Sequence, residues 1–181
     1  MTIKPIRPHT RAAWKLARIN REAFPKLERT PVRSMFSFAR QSDTDVLGLY
    51  DGEELAGFSV VMKNSSSAYL FYLAIDRKKR GMGYGSQALA ALREFYPDHQ
   101  LILDFEVLDP EADNYGQRLR RKEFYLRNGY SETGFSTYLR GAEFEVVCTP
   151  APLQEESFRE LLREIHRLVP EFPVKLYRLG E

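Results

Sequence analysis

Apolar residues recur along this chain at two spacings, and the changes between them mark its elements. Ile3 to Ile6 reads as a short edge strand, because Pro5 lacks the N–H that a central strand needs. From the capping residue Thr10, Trp14, Leu16, Ala17 and Ile19 recur at helical spacing and predict a helix to about Glu22 with those residues on its buried side. Phe24-Pro25 ends it. Thr30 as cap and Pro31 in the first helical position predict a second, short helix to about Arg40, with Met35, Phe36 and Phe38 on its apolar side.

Strand-like runs follow. Val46 to Tyr50 and Leu55 to Met62 flank Asp51-Gly52, a hairpin signal, and Tyr69 to Ile75 is apolar on both faces, as a central strand would be. A glycine-rich turn then opens a helix carrying Ala88, Leu89, Leu92 and Phe95 on one face. Leu101 to Phe105 is a further buried strand. The polar loop Asp109 to Asn114 leads into a basic helix that Asn128-Gly129 stops. Ser136 to Leu139 and Phe144 to Cys148 read as a hairpin across Arg140-Gly141, and Gln154 to Val169 as a final amphipathic helix.

Composition narrows the class. With 181 residues, 43% of them apolar, one domain with a sizeable core is expected and a disordered chain is excluded. A net charge of +2 implies no whole-molecule attraction to nucleic acid or to a membrane surface. The single cysteine, Cys148, excludes a disulfide framework and reads as core; His9, His99 and His166 lie too far apart for metal-ligand spacing, so no metal is expected. No run reaches the length of a membrane span and no apolar leader region is visible, which makes a soluble cytoplasmic protein the expectation.

The chemistry concentrates in Arg80-Gly81-Met82-Gly83-Tyr84-Gly85, between a buried strand and a helix. Glycines permit positive φ and close backbone approach, and the bare N–H groups of a helix start favour an anion. Arg77, Lys78, Lys79 and Arg80 add positive charge, so phosphate or pyrophosphate is the expected guest. The plainer alternative is a tight turn beside a solvated basic run. The Walker spacing is absent, and Ser86 stands where the dinucleotide fingerprint has its third glycine. Asp104 falls roughly where a ribose-binding acid would lie, so spacing alone leaves that alternative open, although hairpin strands precede the turn where a dinucleotide fold usually starts with its fingerprint strand.

Arg80-x-x-Gly83-x-Gly85 resembles the acetyl-CoA pyrophosphate signature of the GNAT N-acetyltransferase superfamily. Leu73-Ala74-Ile75-Asp76 looks like that family's fourth strand, and Phe124-Tyr125-Leu126-Arg127-Asn128-Gly129-Tyr130 like its second signature. The resemblance covers residues 3–149, with 150–181 expected as a C-terminal helix and tail on a single domain spanning 1–181. One departure stands out: where many members place an asparagine seven residues before the tyrosine, this chain has Arg118, and Asn114 lies eleven before Tyr125. The basic run around it is similar to that of a bacterial subset of undefined substrate.

The resemblance implies an α/β (α+β) fold: a mixed, mostly antiparallel, twisted sheet of six to seven strands, splayed between strands 4 and 5 and flanked by helices. It also implies acetyl-CoA as cosubstrate and direct attack of a primary amine on the thioester. Pantetheine would pair with the backbone of Leu73, Ala74 and Ile75. The pyrophosphate would lie on Arg80, Gly81, Met82, Gly83, Tyr84, Gly85 and Ser86. Tyr125 matches the tyrosine that protonates the departing thiolate. Glu106, at the end of the fifth strand, is the expected base, with Tyr72 and Asp104 as weaker candidates; a salt bridge to the basic helix is its structural alternative. Arg121 is a further candidate for reaching the cofactor. Acceptor recognition is expected from Phe24 to Phe38 and the last hairpin, with Phe36, Phe38 and Tyr138 as walls and Glu22 and Glu28 as amine partners. The acceptor would be a small-molecule or peptide amine and the protein a monomer or homodimer, with neither nucleic acid nor membrane as partner. An inert acetyl-CoA-binding module and a nucleic-acid binder are the rival classes.

Overall fold

The computed structural model describes residues 1–26, 29–139, 141–170 and 175–179. The chain divides into two units, the first made of Met1–Lys63 and Leu70–Pro97, the second of Asn64–Tyr69 and Asp98–Glu181. Among the described residues the strands form one open, mixed, eight-stranded sheet in the order β1-β2-β3-β4-β5-β7-β6-β8. The strands are β1 (Thr2–Pro5), β2 (Thr44–Asp51), β3 (Glu54–Lys63), β4 (Ser67–Ile75), β5 (Gln100–Glu106), β6 (Ser131–Leu139), β7 (Ala142–Thr149) and β8 (Tyr177–Arg178). The helices are α1 (Arg11–Ala23), α2 (Val32–Gln41), α3 (Tyr84–Phe95), α4 (Tyr115–Arg127) and α5 (Glu155–Leu168). The expected fold class stands, with one strand more than the upper expectation.

In the first unit β1 pairs antiparallel with β2, and β2 with β3 from Thr44↔Met62 to Asp51↔Glu54. Gly57 on β3 is forced: a Cβ there would collide with the carbonyl oxygen of Ala74 on β4, so only glycine admits that approach. Thr10 caps α1, accepting from the Ala13 N–H at 3.3 Å, and α1 buries Ala13, Leu16, Ile19 and Asn20. Leu16, Ile19, Met35, Phe58 and Val60 make the fully buried heart of this unit's core. Two expectations need correction. Trp14 is not on the buried side: it is 77% exposed, because the buried stripe runs through Ala13, Leu16 and Ile19, and 100° per residue turns Trp14 away from it. Pro31 is the residue before α2 rather than inside it, and no side chain caps that helix. The Thr30 hydroxyl instead accepts from the Tyr72 hydroxyl at 3.0 Å.

In the second unit, Ser67–Tyr69 of β4 pair in parallel with Gln100–Ile102 of β5. β5 pairs antiparallel with β7, and β7 with β6, which also holds β8 through Phe135↔Arg178 and Ser136↔Tyr177. α5 buries Phe158, Leu161, Leu162 and Ile165 as its spacing predicts, with Phe158 against Tyr69 at 5.4 Å between ring centres. Cys148 is buried in β7, and burial pushes its thiol up to about 11, which suits a core side chain and not a nucleophile.

Candidate functional site

In the first unit, β4 runs through Leu73, Ala74 and Ile75 into Asp76. Asp76 accepts from the Lys78 N–H at 3.1 Å, so a single 3-10 turn, Arg77–Lys79, follows. The Asp76 carboxylate, almost wholly buried, is also paired with Arg18 of α1 at 2.6 Å, which fixes the turn to that helix. Arg80 leaves the turn extended, with its Nε donating to the Ile75 carbonyl at 3.1 Å. Gly81 and Gly83 then take φ of 75° and 80°, values that L side chains rarely adopt. Gly83 is the residue before α3, and no side chain bonds the first turn of the helix. The N–H groups of Tyr84, Gly85 and Ser86 therefore open α3 without an intrahelical partner, and no acidic residue sits in that turn. Met82 projects into solvent, 64% exposed.

The four cations expected here divide. Lys79 is engaged by Glu54 at 3.0 Å and Asp51 at 3.4 Å and lies 4.8 Å from the Tyr84 ring centre. The Glu54 contact comes first among the causes that raise its pKa. Arg77 and Lys78 carry no ion pair among the described residues and are exposed. The loop thus offers bare amides with Arg77, Lys78 and Arg80 nearby, a setting for an anion.

In the second unit, β5 carries Asp104 and Glu106, and α4 carries Tyr125, which stacks on Phe105 between the two acids in sequence. Tyr125 is held by its ring: Phe105 stacks on it at 5.5 Å, and Phe124 and Tyr130 meet it edge-on. Among the described residues its hydroxyl makes no hydrogen bond. Burial raises its pKa; Arg121 works against this and Asp104 with it.

Glu106 forms an ion pair with the basic helix. Its carboxylate is paired with Arg118 at 3.0 Å and Arg121 at 3.4 Å, and Asn114 Nδ2 lies at 3.5 Å. Arg118 also donates to Asn114 Oδ1 at 2.7 Å and to the Val107 carbonyl at 2.9 Å. Arg118 thus ties the start of α4 to the end of β5. Asp104 differs: burial pushes its carboxyl up to about 6, against the downward pull of hydrogen bonds from the Tyr69 and Thr137 hydroxyls, the latter at 3.0 Å. Thr137 and Tyr69 were not among the expected site residues. The signal for them was an aspartate inside the otherwise apolar run Leu101–Phe105, which must find donors once buried.

Other candidates scatter. Tyr72 is buried with its hydroxyl committed to Thr30. Phe36 and Phe38 are largely buried, whereas Tyr138 is exposed. Glu22 lies 3.9 Å from Arg18, and Glu28, like Arg140 of the last hairpin, is outside the described residues. A pair of buried Glu145 and half-buried Lys122 at 2.9 Å, with Glu132 at 2.5 Å from the same ammonium, joins α4 to β7 and β6.

The profile of the acetyltransferase (GNAT) family matches residues 13–130. Among solved structures, a GNAT-family protein from Bacteroides thetaiotaomicron superposes with a TM-score of 0.75 at 20% identity, over 93% of this chain and 98% of that one. An aminoglycoside 6'-N-acetyltransferase complexed with coenzyme A gives 0.62 at 17% identity, over 84% and 100%. The ribosomal-protein-S18-alanine N-acetyltransferase from Escherichia coli gives 0.59 at 17%, over 84% and 94%. No curated protein matches the chain in sequence.

Proposed function

The chain belongs to the acetyltransferase (GNAT) family, and from that premise we propose that it moves the acetyl group of acetyl-CoA to a primary amine by direct attack. The observation that carries the reading is the start of α3, where two left-handed glycines leave the first-turn amides bare and free of acidic neighbours. The pyrophosphate of acetyl-CoA is assigned to Arg80, Gly81, Met82, Gly83, Tyr84, Gly85 and Ser86, and the pantetheine arm to the backbone of Leu73, Ala74 and Ile75.

In the proposed reaction the amine lone pair attacks the thioester carbon and negative charge collects on the carbonyl oxygen. Collapse breaks the carbon–sulfur bond, and the thiolate takes the Tyr125 proton, for which the phenol's unpartnered hydroxyl is suited. The amine nitrogen gives its proton to Glu106. The products are an amide and the free thiol of coenzyme A. One observation favours a second reading of the base alone: a carboxyl near 6, as in Asp104, is half-ionised close to neutral pH, where a proton acceptor works best.

The acceptor is proposed as a small-molecule or peptide amine; the similar structures described above include a protein named for each kind. Residues 1–181 are proposed to act as one acetyltransferase domain, in a monomer or homodimer. Among the described residues no helix is long and apolar enough to cross a membrane. The test is thiol release from acetyl-CoA with a panel of amines. Amine-dependent release supports transfer; saturable acetyl-CoA binding with no release from any amine would make the chain an inert acetyl-CoA module.

A further inference from the structure

Between α1 and α2 of the first unit lies an open groove of about 490 Å³. Trp14 and Ala17 on α1 face Val32 and Phe36 on α2, and Arg33 and Arg40 stand along it. Past Pro8, Phe36 and Arg40 it continues into a smaller depression of about 250 Å³ that reaches Ile6 and Val46. The volume of the larger part lies in the roughly 300–1,000 Å³ range of small-molecule sites.

Three features of this groove have no part in the transfer step proposed above. Trp14, the chain's single tryptophan, is 77% exposed on a helix that buries Ala13, Leu16 and Ile19 on another face. A large ring left in water next to an apolar cleft marks a binding surface more than a folding one. The charge is one-sided: no acidic side chain lines the larger part, and Arg33 and Arg40 carry no ion pair among the described residues. Asp45, which borders the smaller part, is already matched by Lys63 at 3.0 Å and by the Tyr96 hydroxyl at 2.7 Å. Finally, His9, which lines the groove, has a φ of 62°, the one positive value outside glycine among the described residues. Such conformations cluster at ligand sites.

We infer that this groove binds an apolar molecule carrying one carboxylate, its hydrocarbon body against Trp14 and Phe36 and its head on Arg40 and Arg33. Guanidinium is the side chain suited to a carboxylate, because its planar fork meets both oxygens. An amine would meet two unmatched positive charges. An uncharged chain would gain the apolar contact and forgo the charged hydrogen bonds. A nucleic acid would need a longer row of cations than Arg7, Arg33 and Arg40.

The chain's only tryptophan reports on the groove directly. Decanoate, kept below its micelle-forming concentration, is titrated against the protein while tryptophan emission is followed, with decanol and decylamine as controls of equal chain length. A saturable change with decanoate is expected, with decanol and decylamine binding about tenfold or more weakly, as loss of a charged hydrogen bond implies. Arg33→Gln combined with Arg40→Gln is expected to weaken decanoate by a similar factor, with an unchanged far-ultraviolet dichroism spectrum. No saturable response in the parent protein, or decanol or decylamine binding as tightly as decanoate, overturns the proposal. Should the double variant not fold, the head-group series on the parent protein decides alone.

Discussion

We propose that a phenol packed by three aromatic rings, its hydroxyl without a hydrogen bond among the described residues, is ready to meet a developing negative charge. Tyr125 has this setting, stacked on Phe105 at 5.5 Å with its pKa raised by burial. Tyr125→Phe removes the oxygen and keeps the packing. Turnover is expected to fall while acetyl-CoA affinity stays within about threefold, since the interaction is made in the transition state. Equal turnover, with the chemical step shown to limit the rate, would leave Tyr125 a packing residue. Asp104 makes a second prediction at this scale. Its carboxyl titrates near 3.8 when unfolded and about 6 in the fold, so the folded state holds the proton more tightly. The stability this contributes is complete below about pH 4 and is lost as pH rises through 6, on the order of 2–3 kcal/mol. Asp104→Asn keeps an acceptor for Thr137 and should be the more stable protein at pH 7. Urea unfolding of both proteins from pH 4 to 7.5 checks this: their stability difference should grow across the window, and a constant difference contradicts it.

At the scale of elements, the network of Glu106, Asn114, Arg118 and Arg121 ties the end of β5 to the first half of α4. Glu106→Gln therefore tests two roles at once. Loss of the ion pairs lowers the urea midpoint in either case. If Glu106 also takes the amine proton, the rate falls by roughly 10²–10⁴-fold, and the loss shrinks as pH rises and more amine arrives neutral. Parallel pH–rate profiles less than about threefold apart would leave Glu106 as a brace alone and move the base role to Asp104. Elements were legible in the sequence where periodicity was long and strong. The stripe Phe158, Leu161, Leu162 and Ile165 reads the same in both, and so does the Asn128-Gly129 stop, where the Asn128 N–H donates to the Tyr125 carbonyl at 3.0 Å. Trp14 departs from its expected burial because apolar character alone does not set it: the helical turn decides which of two neighbouring apolar residues faces the core. Thr30 misled because a hydroxyl able to cap a helix was claimed by Tyr72, forty-two residues away in sequence.

For the whole molecule, two short signatures in the right order with a strand between them were enough to expect the family and the mixed sheet. β8 was not legible, since two residues held by pairing with β6 leave no period to read. Nor was the pairing of cations with acids: that Asp51 and Glu54 engage Lys79 depends on the β2–β3 hairpin lying beside the turn. What the sequence did carry is the glycine-rich start of α3, and the functional account stands on it. Acetyl-CoA binding to the parent protein and to Gly83→Asp, measured by titration calorimetry, tests it most directly. A Cβ at position 83 meets nothing closer than Gln87 at 4.0 Å, but at a φ of 80° any side chain there is strained, so the variant's far-ultraviolet dichroism spectrum is compared with the parent's before binding is read. The variant's carboxylate competes with phosphate for the same amides. The account predicts saturable binding to the parent protein and at least about tenfold weaker binding, about 1.4 kcal/mol, to the variant. A parent that does not bind acetyl-CoA, or a folded variant that binds it equally well, would contradict it.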